Sequence, residues 1–318
     1  MAGQLNFSLT QLKYVLAVHK YGNFSLAAKN CFVTQPTLSM QIQKLEEELG
    51  TVIFDRSKKP ILLTDKGRKL IDQMQSILSE AKKIEVILQS ESEKALSGEL
   101  TIGVIPTIAP YLLPLLLPVV EKMYPGLRLK ILELQTHRII ESLDSDEIDL
   151  GILAIPLGNA RLLEKPLYWE PFSVLCQKTH KLAKQKKIKY ESLESDDIWL
   201  LEEGHCLRHQ VLDVCSIRKR KATKRNFEFE SGSLETLKNL VSAYGGYTLL
   251  PALATKNLDA NLVVIPSERP IPAREIGMVS RREHYKQHLQ VALETAIMEC
   301  IPDSLKNIRR KDLEVVPV

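Results

Sequence analysis

Two cysteines nine residues apart, Cys206 and Cys215, are the residues of this 318-residue chain whose types and surroundings best support chemistry. His205 immediately precedes the first cysteine, and Arg208 follows it by two positions. Neighbours of this kind stabilise a thiolate, which is the reactive form of cysteine. The segment therefore contains a candidate redox pair.

The spacing of the two cysteines limits how they can react with each other. If an α-helix opens at Cys206, nine residues give about 2.5 turns and about 13.5 Å of rise, with the two side chains on opposite faces. A disulfide needs Cα atoms within about 7 Å. The thiols can therefore join only if the helix unravels, which is the behaviour required of a redox switch.

Three other interpretations compete with a redox switch. Both cysteines fit the core as small apolar side chains, the commonest fate of a free cysteine. A zinc site from His205, Cys206, His209 and Cys215 is a weaker option, because it lacks the C-x-x-C spacing of structural zinc sites. A cysteine-dependent enzyme such as a thiol peroxidase leaves the first 95 residues unexplained. We expect a non-enzymatic protein without metal or cofactor.

A helix over residues 35–49 is the second candidate site. Leu38, Ile42, Leu45 and Leu49 share one face, and the opposite face is short and mostly polar, as a helix entering a DNA major groove requires. Gln43 can pair with adenine, while the basic hairpin that follows can lie over phosphates. The residues predicted to contact DNA are Thr34, Gln35, Pro36, Thr37, Ser39, Gln43, Arg56 and Lys58.

Composition is consistent with a soluble protein of two or three units. The net charge is only +4, but residues 1–69 contain ten Lys and Arg against five Asp and Glu, which fits a basic DNA-reading unit. The N-terminus lacks the pattern of a signal peptide, and no apolar run reaches the roughly 20 residues of a membrane span. We expect a cytoplasmic protein whose five cysteines start out reduced.

Two further patterns organise the chain. Apolar residues at 70, 74, 77, 81, 84 and 88 have the spacing of a coiled-coil seam, which predicts either a dimer-forming helix or an ordinary helix packed on its own domain. After Gly98, strands alternate with helices: 99–104, 127–134, 150–153 and 172–177 are predicted strands. This alternation predicts a mostly parallel α/β sheet.

The run FSLAAKNCFVTQPTLSMQIQKLEEELGTVIFDRSKKPILLTDKG closely resembles the DNA-binding segment of LysR-type transcriptional regulators. The resemblance implies a bacterial protein with an α-rich winged helix-turn-helix, a long linker helix and a two-lobed α/β sensor like periplasmic binding proteins. Met40 departs from the basic residue common at its position. The implied domains are 1–65 (DNA-binding), 66–96 (linker), 97–166 with 269–303 (first lobe) and 167–268 (second lobe). The implied partners are double-stranded operator DNA, further copies in a homodimer or homotetramer, and RNA polymerase.

The segment LEEGHCLRHQ…C followed by SLETLKNLVSAYGGYTLLP resembles the peroxide-responsive branch of this family. That resemblance implies that hydrogen peroxide oxidises Cys206 to a sulfenic acid, that Cys215 resolves it as a disulfide, and that a cellular thiol resets it. It assigns peroxide binding and thiolate support to Thr107, His205 and Arg281, with Arg282 as the fallback. His209 stands where an acid is commoner. The alternative is a family member that binds a small organic effector between its lobes.

Overall fold

The computed structural model describes residues 7–90, 96–190, 193, 197–215, 231–282 and 286–318. The chain divides into two compact units, residues 1–93 and 94–318. Each has a hydrophobic core of its own, and the second unit has two. No helix in the described ranges is long and apolar enough to cross a membrane.

The first unit consists of helices α1 (Leu9–Tyr21), α2 (Phe24–Asn30) and α3 (Gln35–Glu48), the hairpin β1 (Phe54–Asp55) and β2 (Leu62–Leu63), and the long α4 (Asp65–Ser90). The Thr34 hydroxyl caps α3 by accepting from the N–H of Thr37, and Pro36 lies in the first turn, as the sequence predicts. Gly67 packs so closely that a Cβ there would lie 2.3 Å from the carbonyl oxygen of Ile53.

The predicted coiled-coil seam begins inside the core of the first unit. Met74 is 4% exposed, and Leu70 and Ile77 pack against the same cluster, which also holds Ile71 and Leu78. This part of the seam therefore follows the second prediction, that of a helix packed on its own domain. The side chains at 84 and 88 lie outside the described ones, so any dimer-forming part of α4 stays a prediction.

The second unit is built on one eight-stranded mixed sheet. Its strands are β3 (Gly98–Val104), β4 (Leu127–Glu133), β5 (Leu150–Ile155), β6 (Leu162–Gln177), β7 (Tyr247–Pro251), β8 (Leu262–Pro266), β9 (Ile271–Arg281) and β10 (Leu313–Val315). Its α-helices are α5 (Ala109–Met123), α6 (Thr136–Asp144), α7 (Cys206–Val214), α8 (Leu234–Tyr244), α9 (Gln287–Cys300) and α10 (Asp303–Lys306).

Two lobes share this sheet because β6 passes from one to the other. The first lobe has the strand order β4-β3-β5-β9-β6, with β4, β3 and β5 parallel as predicted and β9 antiparallel to β5 and β6. Beyond Pro171, β6 leaves β9 and pairs with β7 and β8 in the second lobe. The strand predicted at 172–177 therefore forms the last six residues of a 16-residue strand that begins at Leu162.

The C-terminal segment returns from the first lobe to the second. After α10, β10 pairs in parallel with the first residues of β9. Val316, the residue that follows, is buried in the second-lobe core, and its carbonyl oxygen accepts a hydrogen bond from the Gln210 side chain of α7 at 3.2 Å. The segment therefore connects β9, the second-lobe core and the helix that carries the cysteines.

Candidate redox site and nucleic-acid interface

Helix α7 holds the two cysteines apart. Cys206 is its first residue and Cys215 its C-terminal cap, whose N–H donates to the carbonyl of Val211 at 3.0 Å. Nine residues of intact helix separate the Cα atoms by about 13.5 Å along the axis. Both cysteines are free thiols; Cys206 is 9% and Cys215 3% exposed. Cys206 packs in the first-lobe core and Cys215 in the second-lobe core, so the expected separation of the pair is confirmed.

The two thiols have different surroundings. Burial raises the pKa of Cys215 to about 12, so that this thiol stays protonated at neutral pH. Cys206 lies in the first turn of α7, where backbone N–H groups lack partners within the helix. The Thr136 hydroxyl donates to its sulfur, Oγ1 to Sγ 3.8 Å. The first thiol therefore meets a side-chain hydroxyl at the start of the helix, and the second is buried at its end.

His205 links the start of α7 to the first lobe. Its side chain is buried, with Nε2 3.3 Å from the Nε2 of Gln135 and 3.5 Å from the Oε1 of Glu202. Gly232 leaves room for this ring, because a Cβ there would lie 2.9 Å from Nε2. The Arg208 guanidinium donates to the carbonyl of Leu201 at 2.6 Å, so it braces the approach to α7.

Thr107 and Thr136 occupy equivalent positions at the carboxyl edge of the first-lobe sheet. Val104 of β3 and Glu133 of β4 lie opposite each other, and each threonine comes three residues further along its chain segment. The carboxyl ends of neighbouring parallel strands are where ligands collect in sheets of this kind. Thr136 is therefore the counterpart of the predicted Thr107, and its matching place after the next strand is a signal that the sequence offered.

A buried arginine that sequence reasoning missed holds Thr107. Arg274 of β9 is fully buried and donates from Nη1 to the Thr107 hydroxyl oxygen at 2.9 Å and from Nη2 to the Thr107 carbonyl at 3.2 Å. Glu170 of β6 neutralises it, with Oε2 2.7 Å from Nη2. Both strands contain other charged residues as well, so the sequence offered no signal that singled out this pair.

The predicted position of Arg281 beside the thiolate is wrong. Because β9 runs antiparallel to β5, its first residues lie at the carboxyl end of β5 and its last residues at the amino end. Arg281 ends β9 seven residues after Arg274, which is about 23 Å along a strand, and it forms an ion pair with Asp146. The fallback, Arg282, is exposed and donates to the carbonyl of Ala160. The arginine at the carboxyl edge of the first-lobe sheet is Arg274.

The predicted division of α3 into two faces is confirmed. Leu38, Ile42 and Leu45 are fully buried, and Leu49 packs against the same core. The exposed residues of the opposite surface are Thr34, Gln35, Pro36, Thr37, Met40 and Gln43, with Ser39 half-buried among them. This surface projects a short polar stripe of the size that enters a major groove.

The basic hairpin contributes to this interface unequally. Arg56 is tied back to its own domain: Nη2 lies 3.0 Å from the Oε2 of Glu46, Nη1 donates to Ser39, and the guanidinium stacks over the Phe24 ring. Lys58 is exposed. Lys58 is therefore the better placed of the two for a phosphate, and Arg56 positions the hairpin against α3.

Two family models match the chain. A bacterial regulatory helix-turn-helix model of the LysR family covers residues 9–68, and the LysR substrate-binding domain covers residues 93–299. The chain belongs to the LysR family. LysR proteins are transcription regulators, and their helix-turn-helix matches residues 9–68 of the first unit, a range that contains α3. Among residues that the structure describes, no three His, Cys, Asp or Glu side chains cluster as metal ligands.

Several OxyR proteins are similar to this LysR chain. The DNA-binding transcriptional dual regulator OxyR of Escherichia coli is 37% identical over 287 residues, which cover 88% of this chain and 93% of the relative. A full-length cysteine-to-aspartate variant of Pseudomonas aeruginosa OxyR superposes with a TM-score of 0.78 at 34% identity, covering 93% and 96%. A peroxide-bound cysteine-to-serine variant of Corynebacterium glutamicum OxyR gives 0.60 at 28% identity, covering 94% of each chain.

Proposed function

We propose that this chain is a transcription regulator that senses hydrogen peroxide through Cys206 and stores the signal as a reversible disulfide with Cys215. The observation that carries the proposal is the placement of Cys206 in the first turn of α7, with the Thr136 hydroxyl on its sulfur. The similarity to OxyR proteins, one of them solved with peroxide bound, supports it.

The first step is a two-electron oxidation of Cys206. The thiolate attacks one oxygen of the peroxide, the O–O bond breaks, and the departing hydroxide takes up the proton that the thiol released, leaving a sulfenic acid and water. The hydroxide needs a hydrogen-bond donor nearby. Because Thr107 accepts from Arg274 through its oxygen, its own hydroxyl hydrogen is left for the peroxide. Thr107, Thr136 and Arg274 are the donors that we assign to this step, with His205 at the helix start.

The second step joins the cysteines and changes the fold. The Cys215 sulfur attacks the sulfenic sulfur, the S–O bond breaks, and water leaves with the Cys215 proton. About 13.5 Å of helix separates the Cα atoms beforehand, and a disulfide allows about 7 Å. Helix α7 must therefore unravel, which alters the second-lobe core around it. A cellular thiol resets the switch by exchange.

The output of the switch is a changed complex with operator DNA. We propose that α3 and its N-terminal cap read the operator while Lys58 contacts a phosphate. The residues that read the operator are Thr34, Gln35, Thr37, Ser39 and Gln43. Copies of the chain pair as a homodimer and assemble as a homotetramer, and the complex acts on RNA polymerase.

Thiol counting after stoichiometric peroxide tests the proposal on the full chain. We expect the wild type to fall from five free thiols to three, with a Cys206–Cys215 bridge in the peptide map. The variant Cys206→Ser should keep its four remaining thiols. The matched control is Cys176→Ser, a buried cysteine of the second-lobe core, which should fall from four to two.

Operator binding distinguishes a peroxide-driven disulfide switch from a regulator that binds a small organic effector. Peroxide should change the footprint on an operator fragment for the wild type and Cys176→Ser but not for Cys206→Ser. If Cys206→Ser still switches in response to peroxide, the proposal fails. Switching by a small organic molecule in a chain whose thiols ignore peroxide would favour an effector bound between the lobes.

A further inference from the structure

Glu170 lies next to Arg274 at the carboxyl edge of the first-lobe sheet, and in the described contacts it touches neither thiol. Its carboxylate is 1% exposed and accepts from three donors. Oε2 accepts from the Nε of Arg274 at 2.9 Å and from Nη2 at 2.7 Å, and Oε1 accepts from the backbone N–H of Leu253 at 2.9 Å. Glu170 and Arg274 are directly opposite each other on β6 and β9. The carboxylate therefore fixes both the charge balance and the rotation of the guanidinium.

The rotation of Arg274 decides what Thr107 can do. A guanidinium has five N–H donors in a fixed plane. Two of them meet Glu170, and two others meet the hydroxyl and the carbonyl of Thr107. If the plane turns, all of these contacts change together. Glu170 thus determines the direction in which the Thr107 hydroxyl offers its hydrogen.

We propose that Glu170 is a positioning residue for the oxidation of Cys206, acting through Arg274 and Thr107; this rests on the peroxide-sensing function proposed above. Glutamate is suited to the place for two reasons. A glutamine would turn its NH₂ group toward a donor, because both carboxylate oxygens are in use. An aspartate would retract the charge by one methylene and lose the two-point contact with the guanidinium.

Leu253 extends the role of this carboxylate across the lobes. Leu253 belongs to a short 3-10 helix, Ala252–Thr255, that follows β7 of the second lobe, yet its side chain packs in the first-lobe core. Its N–H is held by Glu170 at the end of the shared part of β6. Glu170, which contacts both lobes, therefore positions the hydrogen-bond donors of Arg274 and Thr107.

A double-mutant cycle tests the inference in full-length protein with Cys215→Ser, so that the sulfenic acid is the end point. The variants are Glu170→Gln, Arg274→Met and both together, and the readout is the second-order rate of Cys206 with peroxide. We expect Glu170→Gln to slow the reaction at least tenfold and the double variant to be no slower than Arg274→Met. Non-additivity of this kind marks residues that act as one unit.

A second readout separates positioning from general structural damage. Alkylation of Cys206 by iodoacetamide needs no peroxide donor, so its rate should stay unchanged in all variants. Glu164→Gln is the matched control: Glu164 also lies on β6 and accepts a backbone N–H, from Leu157, and it should leave both rates unchanged. If Glu170→Gln fails to fold because it leaves a buried charge, Glu170→Asp replaces it, and we expect the same selective loss of peroxide reactivity.

The outcomes distinguish this inference from the function on which it rests. If the wild type reacts with peroxide, three results would each overturn the positioning role alone. They are a Glu170→Gln oxidation rate equal to that of the wild type, equal slowing of oxidation and alkylation, and multiplicative losses of rate in the double variant. A wild-type Cys206 that is inert to peroxide would remove the proposed function and the inference with it.

Discussion

Oxidation should expose the backbone of α7 to solvent. In the reduced protein, the amide of Cys215 donates to Val211, the amide of Arg208 donates to His205, and the helix between them is continuous. Bringing Cα atoms from about 13.5 Å to within about 7 Å requires a shift of roughly 6 Å, more than the 5.4 Å pitch of one turn. At least one turn of hydrogen bonds must therefore break in a helix of nine residues.

Hydrogen exchange measured before and after stoichiometric peroxide checks this reasoning. We expect amides from Val211 to Cys215 to lose their protection on oxidation, while amides of β3 and β5 keep theirs. The bond from Gln210 to the Val316 carbonyl should also be lost, so exchange at β10 should rise. The control is Cys215→Ser, in which peroxide produces a sulfenic acid and leaves α7 protected. A confirmed Cys206–Cys215 bridge with unchanged exchange in α7 would refute the argument.

Three further predictions concern stability, ionisation and DNA. Folding raises the pKa of Cys215 from its ordinary value of 9.0 to about 12, so the stability that its neutral thiol provides should be complete below pH 9 and lost as the pH rises toward 12. The stability measured by denaturation against pH should therefore fall more steeply in the wild type than in Cys215→Ala, and equal slopes would contradict the burial of this thiol. Gly67→Ala places a methyl against the Ile53 carbonyl and should destabilise the first unit by about 1–3 kcal/mol, seen as a lower Tm; an unchanged Tm would contradict the close packing. Gln43→Ala should cost about 1–3 kcal/mol of binding free energy on the operator and relax sequence specificity. Lys58→Ala should weaken binding to all DNA sequences alike and reduce the slope of log affinity against log salt by about 1. Equal losses of affinity on operator and random DNA for both variants would contradict their assignment.

Local signals were sufficient for α3 and for the first strands of the second unit. Thr34, Pro36 and the apolar spacing from Leu38 onward define α3, because caps and helical periodicity act over a few residues. The parallel strands β3, β4 and β5 follow from the alternation of strands and helices, whereas no side-chain cap at His205 marks the start of α7 at Cys206.

The pairing of β9 with β5 could not be read from the sequence. This pairing decides which arginine lies at the carboxyl edge of the first-lobe sheet. Arg274 and Arg281 stand near opposite ends of one strand, and only the antiparallel pairing of β9 with β5 shows which end meets Thr107. Glu170 escaped notice for the same reason, since its partner is 104 residues away. The early part of β6 was missed because Pro166 lies at an irregularity in its pairing, which breaks the strand pattern.

The contact between Gln210 and Val316 has a consequence for the order of folding during synthesis. The second-lobe core closes only when residue 316 arrives, 106 residues after its partner. At 5–20 residues per second, residue 316 follows residue 93 by roughly 10–45 s. The first unit, which has its own core, is therefore available to fold well before the second unit is complete. Cys215 is made 101 residues before residue 316, so for roughly 5–20 s its thiol exists without the finished second-lobe core that buries it.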